Sequence, residues 1–146
     1  MYPSQFLVPL GALEAASPII LYGLLVLALA NMGTRFLAHR DHVSQAEAGA
    51  EDLERYTPHV VSSFLLILVS FAYMILHPHG GMVASVLVLG TLVADFFEFE
   101  SRQVEVRNGM DIERPKSAVT GSLLVLLYAA YQSLFFIVKP VWSSIV

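Results

Sequence analysis

The chain has 146 residues, of which 56% are hydrophobic and only 14% are charged, whereas ordinary soluble domains are about half apolar and a quarter charged. A domain of this size has too little polar surface to cover this many apolar side chains in water. The composition therefore predicts an integral membrane protein. The absence of cysteine excludes disulfide scaffolds and thiol nucleophiles, and a net charge of −4 argues against a nucleic-acid partner, which would require a basic surface.

The first two predicted membrane spans begin with the same signal, a hydroxyl residue followed by proline. Residues 5–16 before them are apolar but too short for a bilayer, which requires about 20 residues, so they predict an interfacial segment. They follow no basic region, and we expect no signal peptide. A Ser-Pro pair then opens a span over 17–35, and a Thr-Pro pair opens a second over 57–76, because such pairs favour helix starts.

Two further spans follow. Residues 77–81, HPHGG, contain a proline and paired glycines that predict a sharp turn, so the third span, over 81–100, must return at once across the bilayer. The fourth covers 117–138, and Trp142 beyond it is a predicted interfacial anchor. The predicted fold class is therefore an all-α integral membrane four-helix bundle, one domain over 1–146, with short interfacial or cytoplasmic helices outside the spans.

Basic residues determine the predicted orientation, because lysine and arginine are retained on the cytoplasmic side of short loops. Seven of the eight lie at or within two connections, residues 36–56 and 101–116, and only Lys139 lies on the opposite side. We therefore expect both connections in the cytoplasm, and both termini and the HPHGG turn outside the cell.

In the second connection, Asn108-Gly109 predicts a tight turn. In the first, apolar residues at spacings of three and four predict a helix that lies against the bundle or a partner. They are Val43, Ala46, Ala50 and Leu53.

Asp95 is the one carboxylate expected near the hydrocarbon, where an isolated charge costs roughly 2.5–3.5 kcal/mol on insertion scales. Asp95, Glu98 and Arg102 share a helical stripe at spacings of three and four, which favours an interfacial ion-pair ladder. The alternative is an ion or proton site at Asp95 and Glu98, with Gln132 towards the outer end of the same route. A buried amide usually hydrogen-bonds to another helix, so we favour a packing role for Gln132.

Five histidines are candidates for metal or haem binding. His77 and His79 place two imidazoles in the outer turn, where they are candidate ligands for copper, zinc or nickel. A metal site needs three or four ligands, so hydrogen bonding to water is the favoured interpretation. His39, His42 and His59 are the haem candidates, although haem held in this way requires two histidines at matched depth on facing helices. We expect no cofactor.

The sequence contains no catalytic motif such as HExxH or GxSxG. The leading hypothesis is a non-enzymatic packing or accessory subunit of a larger membrane complex, or a homo-oligomer, with lipid and a membrane protein or a second copy as partners. Small residues at four-residue spacing would permit close helix approach. They are Gly90 with Ala94, Ser117 with Gly121, and Ala129 with Ser133. The alternatives are a small ion, proton or solute translocator that uses Asp95, Glu98 and Gln132, and a metal- or haem-binding membrane protein.

Six segments spread over nearly the whole chain carry a resemblance to a known family. They are QFLVPL, HPHGGM, DFFEFE, ERPK, LLYAAYQSLFF and KPVW. In these segments the chain resembles a small family of uncharacterised haloarchaeal membrane proteins, a domain of unknown function. The resemblance implies a multi-pass topology and a salt-adapted archaeal source, where high ionic strength screens exposed charges. It implies no activity, cofactor or site residue.

Overall fold

The computed structural model describes residues 15–145, with the side chains of 135–142 outside that description, and every regular element in the described part is a helix. The four long helices are α1 (Ser17–Glu47), α2 (Thr57–Leu76), α3 (Pro78–Arg107) and α4 (Lys116–Ile145). Each packs against the next, and α4 packs back against α1. The connections are short, so sequential neighbours run antiparallel. The all-α prediction is confirmed, and all four helices are long and apolar enough to cross a membrane.

Proline lies in the first turn of α1, α2 and α3, where its missing N–H is not needed. The expected HPHGG turn is shorter than predicted, because only His77 separates α2 from α3 and the helix begins at Pro78. The two glycines are therefore helical. Gly81 lies directly against the backbone of Met74, where a Cβ would overlap, so glycine allows the two helices to meet at once.

A glycine with positive φ follows each of α1 and α3, two residues beyond the last residue of the helix. Gly49 has φ 87° and Gly109 has φ 67°, a conformation that glycine adopts without steric cost. At the end of α3, the N–H of Met110 donates to the carbonyl of Glu105 at 2.8 Å, which is the Schellman arrangement. The predicted turn at Asn108-Gly109 is confirmed in this form.

Helix α1 continues 12 residues past the predicted end of its span at Arg35, to Glu47. The helix predicted in residues 36–56 is therefore present only as far as Glu47, as a continuation of α1, because no glycine or proline occurs between Arg35 and Gly49. The apolar positions near its end are divided, with Val43 in α1 and Leu53 in the connection. Leu53 is nevertheless buried, and its N–H and carbonyl bind the side chain of Gln103 at 2.8 Å each.

Two other expectations concern the ends of the chain. Helix α4 runs to Ile145 rather than ending at residue 138. The interfacial segment predicted for 5–16 lies almost wholly outside the described residues, and so does the side chain of Trp142.

The middle of the bundle is an apolar core formed by buried residues from all four helices. They are Leu24, Ala28, Leu66, Tyr73, Ala84, Val88, Val125 and Ala129. Large apolar side chains also cover the outer faces, as shown by Val26 at 61% exposure, Phe64 at 61%, Val86 at 63% and Leu127 at 66%. A water-soluble bundle places polar residues on such faces. The outer surface is therefore suited to contact with lipid or with an apolar face of another protein.

Candidate functional site

A buried ion pair between α1 and α3 lies at the centre of the candidate site. Arg35 Nε donates to Asp95 Oδ1 at 2.8 Å, and Arg35 Nη2 donates to Asp95 Oδ2 at 2.7 Å. The Arg35 side chain is 1% exposed and that of Asp95 is 17% exposed. The planar guanidinium matches the carboxylate in this two-bond geometry, which fixes orientation as well as charge.

Asn31 extends the pair towards α2. Its Oδ1 accepts from Arg35 Nη2 at 2.7 Å, one turn along α1. Its Nδ2 donates to the hydroxyls of Ser62 at 3.0 Å and Ser63 at 2.9 Å. Every polar atom of the Asn31 amide is therefore paired, and three helices are joined through one buried network.

His59 closes the network from α2. Its Nε2 lies 3.1 Å from Asp95 Oδ2, and its Nδ1 lies 2.9 Å from the hydroxyl of Thr34. Since the carboxylate can only accept, Nε2 carries a proton. The Thr34 hydroxyl can donate to the Asn31 carbonyl, 3.0 Å away, and accept from Nδ1, or it can turn and donate to Nδ1. Both ring nitrogens of His59 therefore have a hydrogen-bond partner.

A second polar layer joins the C-terminal parts of α1 and α3, beyond Arg35 and Asp95. Arg102 Nη1 lies 3.1 Å from His42 Nδ1, and His42 Nε2 lies 2.9 Å from the carbonyl of Glu54. Arginine can only donate, so His42 accepts at Nδ1 and donates from Nε2, as a neutral ring does. The ring also packs against Phe99, with centroids 5.4 Å apart.

A small, partly open cavity of about 40 Å³ lies between the two layers, among α1, α2 and α3. Its polar lining consists of three arginines, two histidines, one tyrosine and one carboxylate. They are Arg35, Arg55, Arg102, His42, His59, Tyr56 and Asp95. Arg35 Nη1 and Arg102 Nε are buried and have no hydrogen-bond partner among the described residues.

The predicted ion-pair ladder along α3 is replaced by contacts to other helices. Asp95 binds Arg35 and His59, and Arg102 binds His42. Glu98 Oε1 accepts from the backbone N–H groups of Ser117 and Ala118 at 3.0 and 3.2 Å. It therefore caps the first turn of α4, where a carboxylate is favoured by the helix dipole.

Gln132 lies in a separate cluster near the other end of the bundle. Its Oε1 accepts from the Tyr73 hydroxyl at 3.1 Å, and its Nε2 donates to the Tyr128 hydroxyl at 3.1 Å. Tyr73 is fourteen residues from His59 on α2, which corresponds to ~21 Å along the helix. Buried Leu66 and Val88 lie in the core between these clusters. The structure thus does not bring Asp95 and Gln132 together.

The histidine candidates are divided among three places. His77 Nε2 lies 3.3 Å from the Ser17 hydroxyl, and His79 is exposed beside it. His42 and His59 line the cavity, whereas His39 lines a different depression beside Arg114. Within the described residues, no group of three or more His, Cys, Asp or Glu side chains is arranged to hold a metal ion.

The sequence identifies Asp95 and its need for a partner, but it does not identify Arg35, Asn31 and His59 as the residues around it. A signal was present, because Asn31 and Arg35 are one helical turn apart at the end of the first apolar stretch. His59 lies two residues inside the second span, at the same predicted depth. Polar groups at one depth on three spans indicate a shared interior site.

Comparison with known proteins shows the family of the chain. A family model described as a domain of unknown function, DUF7313, matches residues 2–146, so the chain belongs to that family. No curated protein and no solved structure matches it.

Proposed function

We propose that this member of the DUF7313 family is a non-enzymatic, four-span integral membrane protein that acts as a packing or accessory subunit of a larger complex, or as a homo-oligomer. Its four helices are long and apolar enough to span a membrane. We place it in a haloarchaeal cell membrane on the strength of the sequence resemblance, with both termini outside on the strength of its basic residues.

The observation that carries this proposal is the distribution of polar and apolar side chains. Buried Asn31, Arg35 and Ser62 bind one another and Asp95, which ties the helices together. Large apolar side chains remain on the outside of all four helices. Polar groups in a membrane interior are costly unless paired. A bundle with a paired interior and apolar faces is suited to contact other helices in the bilayer.

Helix α3 offers the face best suited to such a contact. Among the predicted small-residue pairs, Gly121 packs against Thr91 inside the bundle, and Ala129 with Ser133 is buried. Gly90 is exposed, and a Cβ built on it would meet nothing within 4 Å. Exposed Val86 and Val93 flank it. A glycine on an apolar face allows another helix to approach closely.

Gly90→Leu tests the proposed contact in liposomes, where self-association is measured by energy transfer between labelled copies. We expect the variant to associate about tenfold more weakly, equivalent to about 1.4 kcal/mol, because leucine holds the helices apart. Gly33→Leu is the matched control, since Gly33 is also exposed with open space around it. It lies between Leu29 and Leu37, whose larger side chains already prevent a second helix from approaching closely.

Equal association of both variants with wild type would remove Gly90 from the interface. A strictly monomeric wild-type protein that also captures no partner from native membranes would contradict the subunit proposal itself.

The translocator hypothesis has less support. It requires Asp95 and Gln132 to share a route, and each is bound within its own cluster on either side of an apolar core. We therefore prefer the subunit assignment. Proteoliposome flux that falls in both Asp95→Asn and Gln132→Leu would favour the translocator instead.

A further inference from the structure

We propose that the cavity between α1, α2 and α3 binds a small inorganic anion, of which chloride is the representative. This site is independent of the proposed packing role. It lies within the bundle, whereas the Gly90 test addresses the exposed face of α3. Its evidence is the set of donors and charges around the cavity.

Two buried donors lack acceptors. Arg35 uses Nε and Nη2 on Asp95 and Asn31, which leaves Nη1 unpaired, and Arg102 uses Nη1 on His42, which leaves Nε unpaired. These residues are 1% and 6% exposed. A guanidinium group does not lose its proton in proteins, so its buried N–H groups require an acceptor.

The charge of the lining favours an anion over water. Three arginines line the cavity with one carboxylate, Asp95, whose two oxygens already accept from Arg35 and His59. Glu98 and Glu105 are close enough to interact with the charge of Arg102, but neither is among the lining residues. The lining therefore carries an excess of positive charge, and a partly buried site binds an anion more strongly than the same charges do in bulk water.

The size of the cavity limits the ligand. Its volume is about 40 Å³, and one water needs roughly 10–15 Å³ of such space. It holds a few waters or one small anion, and a nucleotide or sugar phosphate does not fit. Arg55 forms its exposed wall, with the guanidinium carbon 4.2 Å from the centroid of the Phe99 ring.

The test is chloride titration of the purified full chain in detergent, with gluconate replacing chloride at constant ionic strength. Binding is measured from the chloride nuclear magnetic resonance linewidth. We expect a saturable response in wild type, and an affinity at least about tenfold lower in Arg102→Gln, the ratio expected when one hydrogen bond to a charged group is lost. Arg107→Gln is the matched control, because it removes an exposed arginine of the same helix that pairs with Asp52.

Arg55→Gln provides a second test that does not depend on the stability of Arg102→Gln, since Arg55 is exposed. It should also weaken chloride binding. A wild-type protein without saturable binding would show that water fills the cavity, and equal weakening by Arg107→Gln would show that chloride only screens the surface. Either result overturns the proposal.

Discussion

At the scale of single residues, the ion pair between Arg35 and Asp95 has a consequence for stability. Removing one partner from a buried pair leaves an uncompensated charge, which costs about 3–5 kcal/mol, whereas an exposed pair is worth at most about 1 kcal/mol. The chain contains both kinds. Arg107 and Asp52 form the exposed pair at 2.7 Å, with side chains 59% and 69% exposed.

We therefore expect Asp95→Ala to lower the free energy of unfolding by about 3–5 kcal/mol, and Asp52→Ala by no more than about 1 kcal/mol. Reversible denaturant unfolding in one detergent, followed by circular dichroism, measures both. The double variant Arg35→Met with Asp95→Leu should recover much of the loss, because it removes both charges. Equal losses in the two single variants would mean that the buried pair contributes no more than the exposed one.

At the scale of helices, the contact between α3 and α4 depends on Gly121. A Cβ at this position would lie 2.5 Å from Thr91 Oγ1 and 3.3 Å from its Cβ. We expect Gly121→Ala to destabilise the bundle by about 1–3 kcal/mol, the usual cost of overpacking. Thermal unfolding measures the change.

Two further variants isolate the cause of that loss. Adding Thr91→Ala to Gly121→Ala removes the nearest clashing atom, so stability should recover. Gly33→Ala, at an exposed helical position with open space, should instead stabilise by about 0.5–1 kcal/mol because alanine favours the helix. A failure of Thr91→Ala to restore stability would locate the strain elsewhere.

The sequence predicts helix starts well and helix ends less well. The Ser-Pro and Thr-Pro pairs coincide with the first residues of α1 and α2, because proline is favoured in the first turn. The N-caps are Ala16 and Tyr56, however, and neither hydroxyl side chain caps its helix. The sequence predicts that the first span ends at Arg35, since hydropathy detects the edge of the apolar stretch rather than the end of the helix. The partners of Asp95 depend on how three helices are rotated about their axes, which tertiary packing determines.

At the scale of the whole molecule, the described bundle has one end rich in charge and one end that is not. The C-terminal halves of α1 and α3 extend beyond the start of α2 and carry the second polar layer, which includes Arg102 and His42. The opposite end holds the single-residue connection at His77. Such an asymmetric distribution of arginine and lysine orients membrane proteins with the basic end in the cytoplasm.

Cysteine labelling tests this orientation against a clean background, because the chain has no cysteine. Ser44→Cys and Asn108→Cys lie at exposed positions of the basic end, and His79→Cys lies at an exposed position of the opposite end. In intact cells an impermeant thiol reagent should label only His79→Cys, and all three should react after the membrane is permeabilised. The reverse pattern would invert the topology and place the anion cavity towards the outside, while labelling of all three in intact cells would contradict a membrane-spanning bundle.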